Sequence, residues 1–462
     1  MLRTTMGYRK RLVLPNVLVE IRRRAQAQRG DPGTVRRRFS SAIAWNILAS
    51  VVSRAMVLLA AIACARYLGK DGYGRFGIVQ TTANMVASLA SLGLGMTATR
   101  YIADLREHDR ERAGRIIGLT WTVTVVSAAL ATLISLLTAR QMATAIIHAP
   151  ELTGAVRIAS ALVFLNALLA YQNGALFGFE AFRKLAVINS IAGAAMLPMV
   201  LVGVWRWGLD GAVAGTAAAL AINWWLNERL LHGECRREGI RIRIREGFRE
   251  TTVFWRFSLP ALLGAVVTAV VLWWCTVLIV RSPHGFAQMA MFSASDRWRL
   301  AILFIPVALF RSALPLMANL HEKNRAGYRQ VARAHLVLNL MVILLPVAAI
   351  CALAPFIMGM YGPGFRSGWP VLAVCCMATV PEALNTIFGY PLIATGRMWT
   401  RCMFDIALSA ILLSLGLLLI PARGAMGYAI AYLITYSLIS LGLYLVTRER
   451  AQEPQTAVLS HS

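Results

Sequence analysis

The stretch Ser41 to Cys64 reads SAIAWNILASVVSRAMVLLAAIAC and carries one charge, Arg54, near its middle. A helix needs about 20 apolar residues to cross the hydrocarbon core, so this segment is long enough to span a bilayer. Arginine cannot be deprotonated there, so its guanidinium must face protein, water or an anion rather than lipid. Arg297, Arg299 and Arg311 repeat the pattern in a later apolar segment. Permanent positive charge kept inside a bundle is most simply a site for a negatively charged cargo.

The same hydropathy logic places about twelve spans along the 462 residues. They run near 42–64, 76–99, 116–138, 156–178, 185–204, 209–228, 257–280, 286–312, 334–353, 369–393, 402–420 and 424–446. The chain is 58% hydrophobic and only 15% charged, more apolar surface than a soluble fold can bury. No span alternates with period two, which argues against a β-barrel. The expected class is an all-α polytopic membrane protein.

The formal net charge is +26, from 47 Lys and Arg against 21 Asp and Glu. In a soluble protein this balance would suggest nucleic acid. Here about 34 of the basic residues fall in the tails and alternate loops on one side, against about 9 on the other, as the positive-inside rule requires. Both termini are therefore expected in the cytoplasm. The loop Arg229–Arg256 is strongly basic and reads as a grip on anionic lipid headgroups, with no nucleic-acid partner.

The seven cysteines show no metal spacing, and no metal or cofactor is expected. Loops are short and contain no Walker motif, which argues against an ATP-driven pump. No hydrolytic constellation stands out among the scattered histidines, so an enzyme is not expected.

An internal repeat organises the chain. A shift of 213 residues aligns Asp71-Gly72-Tyr73-Gly74 with His284-Gly285-Phe286-Ala287, Gly211-Ala212 with Gly424-Ala425, Pro150 with Pro363, and Lys184 with Arg397. Six spans per half keep both halves in one orientation, related by an axis along the membrane normal, with a cavity between them. The expected architecture is thus about 12 helices in two six-helix lobes around a central cavity. The expected boundaries are a basic tail 1–40, a first lobe 41–231, a basic linker 232–256, a second lobe 257–446 and a tail 447–462.

Several segments, in order, resemble the polysaccharide and O-antigen flippases of the multidrug/oligosaccharidyl-lipid/polysaccharide exporter superfamily. Leu68-Gly69-Lys70-Asp71-Gly72-Tyr73-Gly74 resembles the loop after that family's first helix, and Leu89 to Gly95 the end of its second. Phe257-Ser258-Leu259-Pro260 is similar to the opening of the second half, Met358 to Phe365 to an outer loop, and Ala394-Thr395-Gly396-Arg397 to the loop after the tenth helix. The resemblance covers most of residues 40–446. It implies translocation of undecaprenyl-diphosphate-linked oligosaccharide across the bacterial cytoplasmic membrane, beside the glycosyltransferases and polymerase of the same pathway.

Such a cargo has a diphosphate whose desolvation in hydrocarbon is prohibitive. Arginine suits it because its planar fork binds two oxygens at once. The expected substrate-binding set is Arg54, Arg297, Arg311 and Arg299, with Trp298 as a stacking platform for a sugar. Asp296 and Arg299 lie three apart on one helix and are expected to pair. Arg297 and Arg311 then share another stripe. Glu382, an intramembrane carboxylate, is expected to counter one of these arginines or to respond to protons. Two alternatives stand beside the flippase. A multidrug or cation exporter would want acids in the first lobe, where span one carries an arginine. An integral glycosyltransferase or polymerase would want a large outer loop or an acidic surface motif.

Overall fold

The computed structural model describes the backbone of residues 32–243, 259–323, 325–394 and 397–452, and the side chains of 52–243, 262–304, 336–389, 392 and 397–446. The N-terminal tail to residue 31, most of the basic linker, the end of the C-terminal tail and the side chain of Arg311 lie outside the described residues. The described residues contain no strand. In chain order the helices are α1 Pro32–Ala90, α2 Leu94–Leu105, α3 Arg110–Gln141, α4 Thr153–Gly178, α5 Phe182–Arg237 and α6 Leu259–Arg281. They continue with α7 Gly285–Lys323, α8 Arg325–Met360, α9 Trp369–Met377, α10 Thr379–Ala394 and α11 Met398–Gln452.

Three of these helices turn back on themselves. α1 breaks at Gly69 (φ 70°, ψ −177°), α5 at Gly208 (φ 57°, ψ −128°) and α11 at Gly424 (φ 54°, ψ −130°). The last two pairs of angles are those of the first corner of a type II′ turn, which glycine adopts without a Cβ clash. In α5 the backbone of Gly203 lies against that of Gly211, and in α11 that of Gly427 against Leu419, so the arms of these two helices run back along each other. Among the described residues eight stretches are long and apolar enough to cross a membrane, and three of them, in α1, α5 and α11, contain such a break. α9 and α10 are one pass interrupted at Ala378, four residues after Val374 and just ahead of Pro381. The proline nitrogen cannot donate to the carbonyl one turn back, which loosens the helix there. Ser440 on α11 donates to the Pro381 carbonyl at 2.6 Å and ties the loosened turn down.

The outward faces are apolar. Leu137, Leu345 and Leu418 are 72%, 77% and 71% exposed, which suits lipid and not water. Tyr73, Tyr171, Tyr361 and Tyr428 are the largest fully enclosed side chains.

The two-lobe plan is carried by repeated geometry. Thr153 and Trp369 open corresponding helices, as do Phe182 and Met398, and Gly208 matches Gly424 (424 less 208, and likewise the other two pairs, gives 216). The sequence shift of 213 holds at Pro150 and Pro363, each of which starts a short 3-10 turn. It slips by three residues beyond them, because the second turn runs Pro363–Gly368 where the first is Pro150–Leu152. The hairpin glycine corresponding to Gly424 is therefore Gly208 and not Gly211.

The lobes meet where α1 lies against α6 and α7. Gly74 sits so close to the Phe286 carbonyl that a Cβ there would overlap it. Arg66 Nε donates to the Met360 carbonyl at 2.7 Å, and Arg281 Nε to the Ile146 carbonyl at 3.0 Å. Tyr73 packs its ring on Tyr361 and Phe365, centroids 6.2 and 6.0 Å away. Trp273 Nε1 donates to Thr82 Oγ1 at 2.9 Å. These hydrogen bonds between lobes lie at the Gly69 end of the molecule or at its middle.

Candidate functional site

On the other side of that seam, the outgoing arm of α1 docks on α5. Ser53 Oγ donates to the Asn189 carbonyl at 2.9 Å, and a Cβ at Gly193 would run into the Ser53 hydroxyl. A small residue at 193 is therefore what allows this approach, as small residues do in helix pairs within lipid. The next residue, Arg54, then faces a cavity of about 370 Å³. Asn173 of α4, Asn189 and Asn223 of α5, and Phe304 of α7 share its wall. Among the described residues, the first lobe supplies every polar group of this wall and the second lobe contributes the Phe304 ring.

Arg54 stacks on that ring, its guanidinium carbon 4.5 Å from the Phe304 centroid. The stack covers one face of the guanidinium and leaves the N–H edges for the cavity. Among the described residues no carboxylate pairs with Arg54, and none lines the cavity.

The later arginines take three different environments. Arg297 crosses the seam, and its Nη2 donates to Gln80 Oε1 on the returning arm of α1. No described carboxylate pairs with it. Arg299 is enclosed: Nη2 meets Asp296 Oδ1 at 2.7 Å, Nη1 meets Glu382, and Nη1 also donates to the Tyr432 hydroxyl at 3.0 Å. The pairing of Asp296 with Arg299 follows the spacing of three in the sequence, and Glu382 counters an arginine as expected. Arg299 itself does not reach the Arg54 cavity, because two carboxylates and a phenol occupy its donors. Trp298 is partly buried, and its indole N–H donates to the Tyr361 hydroxyl at 3.1 Å, which turns the ring into the core near the seam. Arg311 is on α7, and nothing is described of its side chain.

Of the expected residues whose side chains are described, the structure brings only Arg54 to the cavity. Arg297 sits on the same face of α7 as Phe304, seven residues and two turns away, or about 10 Å along the axis. Sequence reasoning missed Phe304, and it read Gln80, with Asn173, Asn189 and Asn223, as neutral polar groups in spans that line the glycan path or bond helix to helix, without naming its partner. Phe304 is one apolar residue in an apolar run and gives no signal alone. Gln80 shows itself only as a neutral polar group inside a span, which helix packing commonly uses.

The profile of the family described as polysaccharide biosynthesis protein matches residues 41–321. The chain belongs to the polysaccharide biosynthesis protein family. This family member is 24% identical over 379 residues to the EPS I polysaccharide export inner membrane protein EpsE of Ralstonia nicotianae, covering 80% of this chain and 84% of that one. Its fold is similar to that of lipid II flippase MurJ in an inward closed conformation (TM-score 0.69, 12% identity, 87% of each chain). It is also similar to an inward-facing multidrug resistance MATE transporter of the MOP superfamily (TM-score 0.67, 15% identity, 86% of this chain and 94% of that one). These likenesses give the polysaccharide biosynthesis protein the two-lobe helical fold of MOP-superfamily transporters.

Proposed function

We propose that the protein is a flippase that carries undecaprenyl-diphosphate-linked oligosaccharide from the cytoplasmic to the outer leaflet of the bacterial inner membrane. Arg54 is the group that receives the diphosphate. The observation that carries this reading is a permanent cation lining a cavity whose described wall holds no carboxylate. A guanidinium at the centre of a span costs about 2.5–3.5 kcal/mol to insert, so an unneutralised one needs a compensating partner. A diphosphate is such a partner, and two N–H edges held in one plane match its oxygens. A cation exporter would need acids where the described wall has only amides, hydroxyls and Arg54.

Arg297 is the second station, because a neutral amide holds it across the seam and an anion can displace that amide. Arg299, Asp296 and Glu382 brace the second lobe, and Trp298 belongs to the same frame. The lobes touch at the Gly69 end, which the charge distribution puts outside. The conformation is then closed outward, with the Arg54 cavity on the cytoplasmic half. Arg229, about two turns before the inner end of α5, stacks on Trp225, 4.0 Å from its centroid, where anionic headgroups would lie.

The test is export in cells whose own copy is deleted. Arg54→Ala should abolish surface polysaccharide at matched protein level in the membrane, and Arg54→Lys should restore only part of it, since an ammonium keeps charge but loses the fork. Normal export by Arg54→Ala would overturn the assignment.

A further inference from the structure

The closed end of the molecule is held by two arginines placed alike in the two lobes. Arg66 and Arg281 each stand three residues before a positive-φ break, at Gly69 (φ 70°) and His284 (φ 53°). Each reaches across the seam to the end of a helix in the other lobe. Arg66 Nε donates at 2.7 Å to the carbonyl of Met360, the last residue of α8. Arg281 Nε and Nη2 donate to the Ile146 carbonyl at 3.0 and 2.8 Å, and Nη2 to the Ala145 carbonyl at 3.2 Å, in the π-helical turn that follows α3. One shift of 215 residues relates the two arginines, the two breaks, and the acceptors Ala145 and Met360 (281 less 66, 284 less 69, and 360 less 145). The clasps are thus reciprocal, each lobe gripping the other.

The last carbonyls of a helix accept no bond from within it and carry its partial negative charge, so a guanidinium suits them. They hold the cation without neutralising it. Among the described residues neither arginine pairs with a carboxylate, and both side chains are exposed. The terminal nitrogens of Arg66 donate to no described residue. When the lobes part, the carbonyls leave with the opposite lobe, and two bare positive charges line the lips of the opening. A diphosphate carries formal charge that a carbonyl lacks, so its hydrogen bonds to a guanidinium are the stronger ones. A ligand that binds only the open form shifts the population toward that form.

We propose that Arg66 and Arg281 are outer anion sites that exist only when the gate is open: closed, they clasp the lobes through carbonyls, and open, they bind diphosphate, so that the cargo holds open the gate it leaves by. The inference rests on the proposed function, which supplies the diphosphate.

The experiment uses the full chain in lipid nanodiscs, its seven native cysteines replaced, with spin labels on Gln141→Cys in the first lobe and Ser367→Cys in the second, both exposed at the Gly69 end. The probe is inorganic pyrophosphate, with sodium chloride at equal ionic strength as the control. Pyrophosphate should lengthen the distance between the labels, and chloride should not. In the double variant Arg66→Gln and Arg281→Gln, the glutamine Nε2 takes the place of the arginine Nε, so a carbonyl bond survives while the charge and the terminal nitrogens go. That protein should need at least about tenfold more pyrophosphate, the loss expected for charge-assisted hydrogen bonds. The single variants, each with one clasp intact, should fall between, and they decide the matter if the double variant rests open. No lengthening in wild type, equal lengthening by chloride, or a wild-type requirement in the variants overturns the outer sites. Arg54→Ala tests the proposed function separately. Pyrophosphate at Arg54 stabilises the outward-closed form, so its loss there should lower the amount needed to open the gate. An unchanged requirement counts against the Arg54 anchor and leaves the outer sites standing.

Discussion

At the scale of single residues, Arg54 and Arg299 show what separates a cation held for cargo from one held for structure. Arg54 has an aromatic face beneath it and no described counter-ion; Arg299 has Asp296, Glu382 and Tyr432. Removing one member of a buried ion network leaves the others uncompensated, at a cost of about 3–5 kcal/mol. Arg299→Leu should therefore lower the thermal unfolding midpoint in detergent steeply, whereas Arg54→Ala should lower it little and act on transport. Equal losses of stability in the two variants would contradict that division. Phe304 has its own signature. A cation–π contact is worth about 0.5–2 kcal/mol, so Phe304→Leu should weaken binding of undecaprenyl diphosphate by about two- to thirtyfold. Phe304→Trp should bind as tightly as wild type or tighter. If leucine binds as well as phenylalanine, the ring does not seat Arg54.

At the scale of elements, the hairpin glycines do more than end helices. Gly208 and Gly424 hold nearly the same positive-φ type II′ angles in the two lobes, and a side chain in so sparsely populated a region costs about 1–3 kcal/mol. A Cβ at Gly208 meets open space, whereas one at Gly424 would come within 2.9 Å of Gln288, so Gly424→Ala should lower the unfolding midpoint more than Gly208→Ala, and calorimetry on the two proteins checks the difference. The passes themselves were legible in the sequence, because each is a long apolar run bounded by charge. The Asp296–Arg299 pair was legible for the same local reason: three residues put both on one helical face. What pairs across helices was not. Glu382 is 83 residues from Arg299 in sequence and Gln80 is 217 from Arg297, so nothing local selects those partners. The repeat was visible at Pro150 and Pro363, but its offset drifted at the longer turn Pro363–Gly368, which composition does not mark. Trp298 looked like a sugar platform because it stands between two arginines; its neighbours on the chain point to different places, and Tyr361 claims its N–H.

At the scale of the whole molecule, the lobes are clamped at the Gly69 end by arginine-to-carbonyl bonds and by a seam so tight that Gly74 meets the Phe286 backbone. Alternating access requires that end to part. With the seven native cysteines replaced, Arg66→Cys and Met360→Cys bridged by a short thiol cross-linker should give a protein that reaches the membrane but exports nothing until reductant is added. Export through an intact bridge would mean that the lobes need not separate there. The cavity lies on the opposite side of this clamp, where one guanidinium from the first lobe rests on one ring from the second. The most direct measurement is translocation of an undecaprenyl-diphosphate-linked oligosaccharide across vesicles that contain the purified protein. Wild type should move the lipid to the far leaflet, and Arg54→Ala should move it at least about tenfold more slowly, the loss expected for a charge-assisted hydrogen bond. Equal rates for the two proteins would contradict the account.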